Sequence, residues 1–301
     1  MTQRGVIVRG FAFVACAMLA TLIWVTVAVA VTVITACPTT LNKFGETYRL
    51  NADLGSVGTC LTVANDRITI DFNGHIIRGD GTGVGVVNDV ARDRITLKNG
   101  EVQNFATGVD LGLSSRVEVR DTEVTENTGK GIIVGAHGLV VGTQSGKETG
   151  GPAGECTVDD NGGTGITMGD FGQVQGCKVG ESEDTACEDH DWNDGFGIVG
   201  GAHMLITNNI VSCNTSGGIH VGDFSTVTNN TTTSNTGDGI FAGKKSVVSG
   251  NIADNNTADG IEVLCPSTVT NNEASANGGA NFNLIGAGCF SKGNTSQPTT
   301  N

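Results

Sequence analysis

"NTGDGIFAGKKSVVSGNIADNNTADGIEVL", Asn235 to Leu264, states one short phrase twice. Asn235, Gly239, Ile240 and Val248 return as Asn256, Gly260, Ile261 and Val269, each 21 residues later. Outward from this stretch, Asn recurs at positions 104, 127, 161, 193, 214, 235, 256 and 277. Five residues after each comes an apolar residue: Val109, Ile132, Ile166, Ile198, Ile219, Ile240, Ile261 and Phe282. Self-similarity at a fixed period of this length is the signature of a stacked repeat. A helical repeat is excluded, because Gly and Asn sit at turn positions and triplets such as Ile219-His220-Val221 alternate inward and outward. Twenty-one residues suit three short strands and three turns, one rung of a parallel β-helix whose rungs stack about 4.8 Å apart.

The sequence therefore predicts an all-β parallel β-helix solenoid of about nine to ten rungs of ~21–23 residues, preceded by a hydrophobic N-terminal segment. Ile and Val columns form the core, one of them Ile206, Val227, Val248, Val269 and Phe290. Stacked Asn side chains hydrogen-bond along the axis, and the column Gly135, Gly169, Gly201, Gly222 and Gly243 is expected to supply positive φ. Two intervals exceed 21: Asn127 to Asn161 is 34 and Asn161 to Asn193 is 32. The surplus leaves the rung as loops, a Gly-rich one over 143–155 and a carboxylate-rich one over 180–192. The expected organisation is an export segment or anchor over 1–36, an N-terminal cap over 37–66, the β-helix over 67–290 and a frayed tail over 291–301.

Arg4 and Arg9 precede an uncharged stretch, Phe11 to Ala36, which reads as an export signal with cleavage points after Ala30 or Ala36. It is also long enough to span a bilayer as an uncleaved anchor, the one route to a membrane through residues 11–36. "ITAC" at Ile34–Cys37 has the form of a lipoprotein signal. Each route places the chain at the cell surface or in the medium. Apart from Cys16, eight cysteines remain, an even number that points to disulfides in an exported chain. Cys156 and Cys177 are 21 apart, at the rung position held elsewhere by Asn209, Asn230 and Asn251, so stacking brings them within bridging range. Proximity pairs Cys37 with Cys60, Cys187 with Cys213, and Cys265 with Cys289.

"RITIDFNGHIIRGDGTGVGV" from Arg67, "ITLKNGEVQNFATGVDL" from Ile95 and the later Asn-to-Gly-Ile rungs resemble right-handed parallel β-helix proteins of the pectate-lyase-like superfamily. The resemblance covers residues 37 to 290 and implies a right-handed coil. It implies an association with extracellular polysaccharide, since the group includes polysaccharide lyases, hydrolases and uronate epimerases. "NTGDG" at Asn235–Gly239 and "NTADG" at Asn256–Gly260 look like the polygalacturonase Asn-Thr-Asp-Gly element with one residue added. Its Gly-His-Gly and Arg-Ile-Lys companions are absent from the sequence, as is the alginate-epimerase Asp-Pro-His-Glu element. Two functions are therefore expected: a binding or structural module for extracellular polysaccharide, or a polysaccharide-active hydrolase, lyase or epimerase.

With 31 acidic against 17 basic residues the net charge is −14, which repels nucleic acids and anionic membrane surfaces. One outward column reads Asp110, Ile133, Thr167, Val199, His220, Phe241, Glu262 and Asn283. At its C-terminal end His220, Phe241 and Glu262 stand beside Asp238 and Asp259. These five are the candidate substrate-binding patch, with an aromatic ring beside carboxylates. Asp before Gly also satisfies turn chemistry by itself. Asp184, Glu188, Asp189 and Asp191 in the second loop are candidate Ca²⁺ ligands, and no other cofactor is implied. Lys244 and Lys130 are the candidate bases for a lyase. Asp223 and Lys244 are expected to form a surface ion pair, and His137, Phe171, His203, Phe224 and Lys245 to stack at one corner.

Overall fold

The computed structural model describes residues 31–143, 155–180, 187 and 192–297. The candidate ligands Asp184, Glu188, Asp189 and Asp191 lie outside the described residues. Every strand ladder is parallel and joins a strand to its counterpart one turn away; Ile219, His220 and Val221, for example, lie beside Ile240, Phe241 and Ala242. One sheet has eleven strands, from Thr39–Leu41 to Phe282–Ile285. The other has twenty-one, because Thr96–Gln103 and Glu118–Thr125 run through a corner and fuse two stacks. The coil thus makes eleven turns, one per strand of the smaller sheet. Among the described residues there is no helix long and apolar enough to cross a membrane.

The extra turns come from the N-terminal end. Within residues 37–66, Thr39–Leu41 pairs with Leu61–Val63, which pairs with Val84–Asn88 in the same ladder. Val31–Ile34, inside the predicted export stretch, pairs with Thr47–Leu50. At the other end Thr295–Gln297 pairs with Glu273–Ser275, so the ladder runs into the predicted tail. These rungs lack the Asn–Gly–Ile phrase, but backbone hydrogen bonds between parallel strands do not require it.

Alternation sets the core. Ile219 and Val221 are buried on either side of half-buried His220, and Ile261 and Val263 flank Glu262 in the same way. The Asn column is a buried hydrogen-bonded stack. Asn127 Nδ2 donates to Asn161 Oδ1 at 2.8 Å, and the relay continues through Asn193, Asn214, Asn235, Asn256 and Asn277 at 2.9–3.0 Å. A second stack joins Asn209, Asn230, Asn251, Asn272 and Asn294 at 2.9–3.0 Å. Because the Oδ1 atoms of Asn235, Asn256 and Asn277 also accept a backbone N–H from the rung before, these buried amides are well satisfied. Asn104 is not a member: Phe105 occupies the slot and its N–H donates to Asn127 Oδ1. Likewise Ser291, not Phe290, pairs with Val269, and Phe290 is exposed. Both are one-residue shifts that a 21-residue period does not reveal.

The Gly column works by close approach rather than by positive φ. Gly135, Gly169, Gly201, Gly222 and Gly243 are absent from the left-handed region, yet a Cβ on Gly169 would lie 2.7 Å from the Ala136 nitrogen. The left-handed residues lie two positions further on, at His137, Phe171, His203, Phe224 and Lys245, with φ between 58° and 60°. Their side chains stack as predicted: ring centroids are 5.0, 4.5 and 4.9 Å apart, and the Lys245 ammonium lies 4.8 Å from the Phe224 ring. Asp223 does not use the Lys244 side chain; its carboxylate accepts the Lys244 backbone N–H at 2.8 Å. All four predicted disulfides form, with Cα–Cα distances of 4.6 Å for Cys37–Cys60, 4.7 Å for Cys156–Cys177, 5.6 Å for Cys187–Cys213 and 4.9 Å for Cys265–Cys289. Cys177 takes the place of an Asn in the second stack, its N–H donating to Asn209 Oδ1.

Candidate functional site

The outward column of the eleven-stranded sheet is in register from Asp110 to Asn283, through Ile133, Thr167, Val199, His220, Phe241 and Glu262. The structure brings the five candidate residues together. His220 and Phe241 stack with centroids 4.3 Å apart and planes 15° apart, and Phe196 meets His220 edge-on at 5.5 Å. Ligand oxygens of Asp238, Asp259 and Glu262 all lie within 4.8 Å of one another. Asn283 Nδ2 ties the acids together, donating to Asp259 at 2.6 Å and to Glu262 at 2.9 Å.

This patch is half-buried rather than fully exposed, which shapes its chemistry. Burial, then the charge of Asp238 and the hydrogen bond with Asp259, push the Glu262 carboxyl above the ordinary carboxylate range. Burial lowers the pKa of His220, opposed by Asp238, and so favours the neutral imidazole. Part of the acidity is structural. Asp238 accepts the Asp259 N–H at 2.9 Å and Asp259 accepts the Ala280 N–H at 2.6 Å, bonds that run along the axis. The second oxygen of Asp259 takes the Asn283 amide, so a cation would share these carboxylates with bonds already made; with Glu262 the set has the hard-oxygen chemistry of a Ca²⁺ site. The rings stack along the axis, so His220 and Phe241 turn their edges, not their facing planes, to solvent.

Two features escaped the sequence reading. At the corner leading into this sheet, Glu126, Asn127, Thr128, Asp160, Asn161, Gly162, Trp192 and Asp194 line a cleft of about 340 Å³. Trp192 abuts the Asn193 of the repeat column, but the rungs it joins are separated by the two unequal insertions. On the other sheet Glu101 and Glu123 are neighbours in register, and burial raises the pKa of both. Glu101 accepts a hydrogen bond from Gln103 Nε2.

The family model described as "right handed beta helix region" matches residues 148–299, just over half of the chain. The chain belongs to the right-handed β-helix family. Among solved structures, the A-module of the Azotobacter vinelandii mannuronan C-5 epimerase AlgE4 superposes with a TM-score of 0.60 at 13% identity, covering 85% of this chain and 81% of that module. The AlgE6 A-module gives a TM-score of 0.50 at 12% identity, over 85% of this chain and 92% of that one. The Dettilon tailspike protein gp208 gives 0.54 at 16% identity, over 84% of this chain and 55% of the tailspike, so this β-helix spans about half the tailspike's length. No curated protein matches the chain at significant sequence similarity. These likenesses establish the coil, and the site has to be read from its own residues.

Proposed function

We propose that this chain is an exported β-helix protein that binds an extracellular polysaccharide on the outer face of its eleven-stranded sheet, without turning it over. The observation that carries the reading is the contiguity of His220, Phe241, Asp238, Asp259, Glu262 and Asn283 on three to four successive rungs. A linear polymer laid along the axis meets ring edges, which carry the positive rim of the aromatic quadrupole and suit sugar oxygens. It then meets carboxylates and an amide that accept and donate directional hydrogen bonds. Ca²⁺ held by the acid trio would bridge a uronate to this negative surface. Mannuronan, named in the neighbouring epimerases, is such a polymer. Export agrees with the four disulfides, which persist in oxidising compartments. Of the two cleavage points, the one after Ala30 leaves the paired strand Val31–Ile34 intact.

Lys130 fits poorly as a lyase base. Lys130 stands four rungs from the Asp238 rung, roughly 19 Å at 4.8 Å per rung. Burial and neighbouring carboxylates lead the Glu262 shift, and burial leads that of His220. One observation favours a second reading, a hydrolase. Glu262, raised in pKa beside Asp238 and Asp259, has the character of a general acid next to a carboxylate partner.

The test is a panel of acidic and neutral polysaccharides, with and without Ca²⁺, read both by binding and by release of reducing ends. Binding without release, lost in Phe241→Ala and Asp238→Asn, supports the binding reading. Release abolished by Glu262→Gln, with no unsaturated uronate ends formed, establishes the hydrolase. Binding untouched by all three substitutions removes this face from consideration.

A further inference from the structure

We infer that the Trp192 cleft is a second subsite of the same polysaccharide groove, so that the protein takes a long glycan strand rather than a chain end or a disaccharide. The inference rests on the proposed polysaccharide reading and concerns the extent of its site. The patch around His220 and Phe241 offers ring edges and polar atoms. The cleft adds an open concavity of about 340 Å³, the large indole of Trp192, and polar groups from Glu126, Thr128, Asp160 and Asp194. Concave sites that combine an aromatic surface with a few directional polar groups are the usual seats of small ligands and sugar units.

Register connects the two places. The cleft is built on the Asn127, Asn161 and Asn193 rungs, and the patch begins one rung later, at the strand Gly217–Val221. Phe196 follows Asp194 by two residues on the same rung, and its ring meets His220 edge-on, so apolar surface continues from cleft to patch. Ile133, Thr167 and Val199 floor the sheet alongside, without a charged side chain to interrupt a strand lying over them. From the Asn127 rung to the Asn256 rung are five steps, about 24 Å along the axis. A disaccharide does not bridge that span. A strand of several sugars does.

The experiment uses the full chain carrying Trp24→Phe, which leaves Trp192 as its one tryptophan. Mannuronan, polygalacturonate and their size-fractionated oligomers are the probes, read by tryptophan emission and by calorimetric affinity. The expected result is that a bound polymer changes Trp192 emission while disaccharides do not. Trp192→Ala should lower polymer affinity roughly threefold to tenfold and leave short-oligomer affinity unchanged. Trp192→Phe, which keeps an aromatic surface, should lose less, and unchanged circular dichroism checks that both variants are folded. If polymer binds but emission is silent and Trp192→Ala retains wild-type affinity, the subsite is overturned and the polysaccharide reading stands. If no polymer in the full panel binds, the parent reading falls and takes the subsite with it.

Discussion

Asn235→Ala should be one of the most damaging single substitutions in this fold. Asn235 is wholly buried, and its side chain makes four hydrogen bonds. Oδ1 accepts the Asn214 backbone N–H at 3.0 Å and Asn214 Nδ2 at 3.0 Å; Nδ2 donates to Val211 O at 3.0 Å and Asn256 Oδ1 at 2.9 Å. The consequences of removal differ by group. Asn214 Nδ2 keeps Val179 and Ser212 oxygens, and Asn256 Oδ1 keeps the Asn235 N–H. The Asn214 N–H loses its acceptor, a buried orphan costing about 1–3 kcal/mol, while the other lost bonds cost about 0.5–1.5 kcal/mol each. The sum is about 2.5–7.5 kcal/mol, with a middle value near 5 kcal/mol. Urea unfolding with the disulfides intact measures it, and exposed Thr236→Ala, expected within about 0.5 kcal/mol of wild type, is the control. Asn235→Asp should cost still more, because it turns a carboxylate oxygen toward the Val211 and Asn256 acceptors. A loss below about 1 kcal/mol for Asn235→Ala, or one equal to the control, would refute the claim that the buried amide stack holds the rungs together.

Three further outcomes follow from the same geometry. Glu262 has a folded pKa above its ordinary 4.5, so its contribution to stability is fully present below that pH and is lost as pH rises through the folded value. Glu262→Gln should therefore raise the melting temperature at pH 7 and flatten its fall above pH 4.5; an unchanged pH profile contradicts the burial argument. Replacing Cys156 and Cys177 together by Ser should cost about 3 kcal/mol, and a non-reducing peptide map should join these two residues. A free thiol at Cys177 would remove the register of that rung. Phe224→Asn should change stability by less than about 1 kcal/mol, since Asn accepts the left-handed backbone that Phe resists; a loss above about 2 kcal/mol would show that stacking dominates the corner.

What could be read in advance followed the two periodicities. The 21-residue period located the Asn stack, the inward Ile column and the Cys156–Cys177 bridge, because in a parallel coil equal sequence offset means direct superposition. The two-residue period then put His220, Phe241 and Glu262 outward between buried neighbours, which is why the patch was legible. Where a rung gains one residue the offset fails silently, as at Asn104 and Phe105 or Phe290 and Ser291. The first rungs carry Leu41, Leu61 and Val63 in place of the motif, so they lie outside the repeat column. The Trp192 cleft was hidden for a related reason: its walls come from rungs spaced by 34 and 32 residues, and no column drawn at 21 brings them together. Half-burial of the acid trio was likewise beyond the sequence, because it depends on how Asn283 and the neighbouring rung close over it.

One corner of the coil meets the left-handed backbone with large side chains. Asn208, Asn229, Asn255 and Asn271 meet the left-handed backbone at other turns with a residue that tolerates it. At this corner the same backbone carries Arg67, Arg94, Arg116, His137, Phe171, His203, Phe224 and Lys245. For L residues the left-handed region costs about 1–2 kcal/mol each. An aromatic stack returns about 0.5–1.5 kcal/mol per pair, and an exposed cation–π contact about 0.5–1 kcal/mol. Phe224, between His203 and Lys245, therefore comes close to balance. Arg116 returns little, since its ion pair with Asp93 is solvent-exposed and such pairs are worth about 1 kcal/mol or less. Stability alone selects Asn or Gly at these positions. The ring stack is self-supporting and Arg67 has the Phe44 ring beneath it at 5.3 Å, while Arg116 stands at a net local cost that the fold does not require.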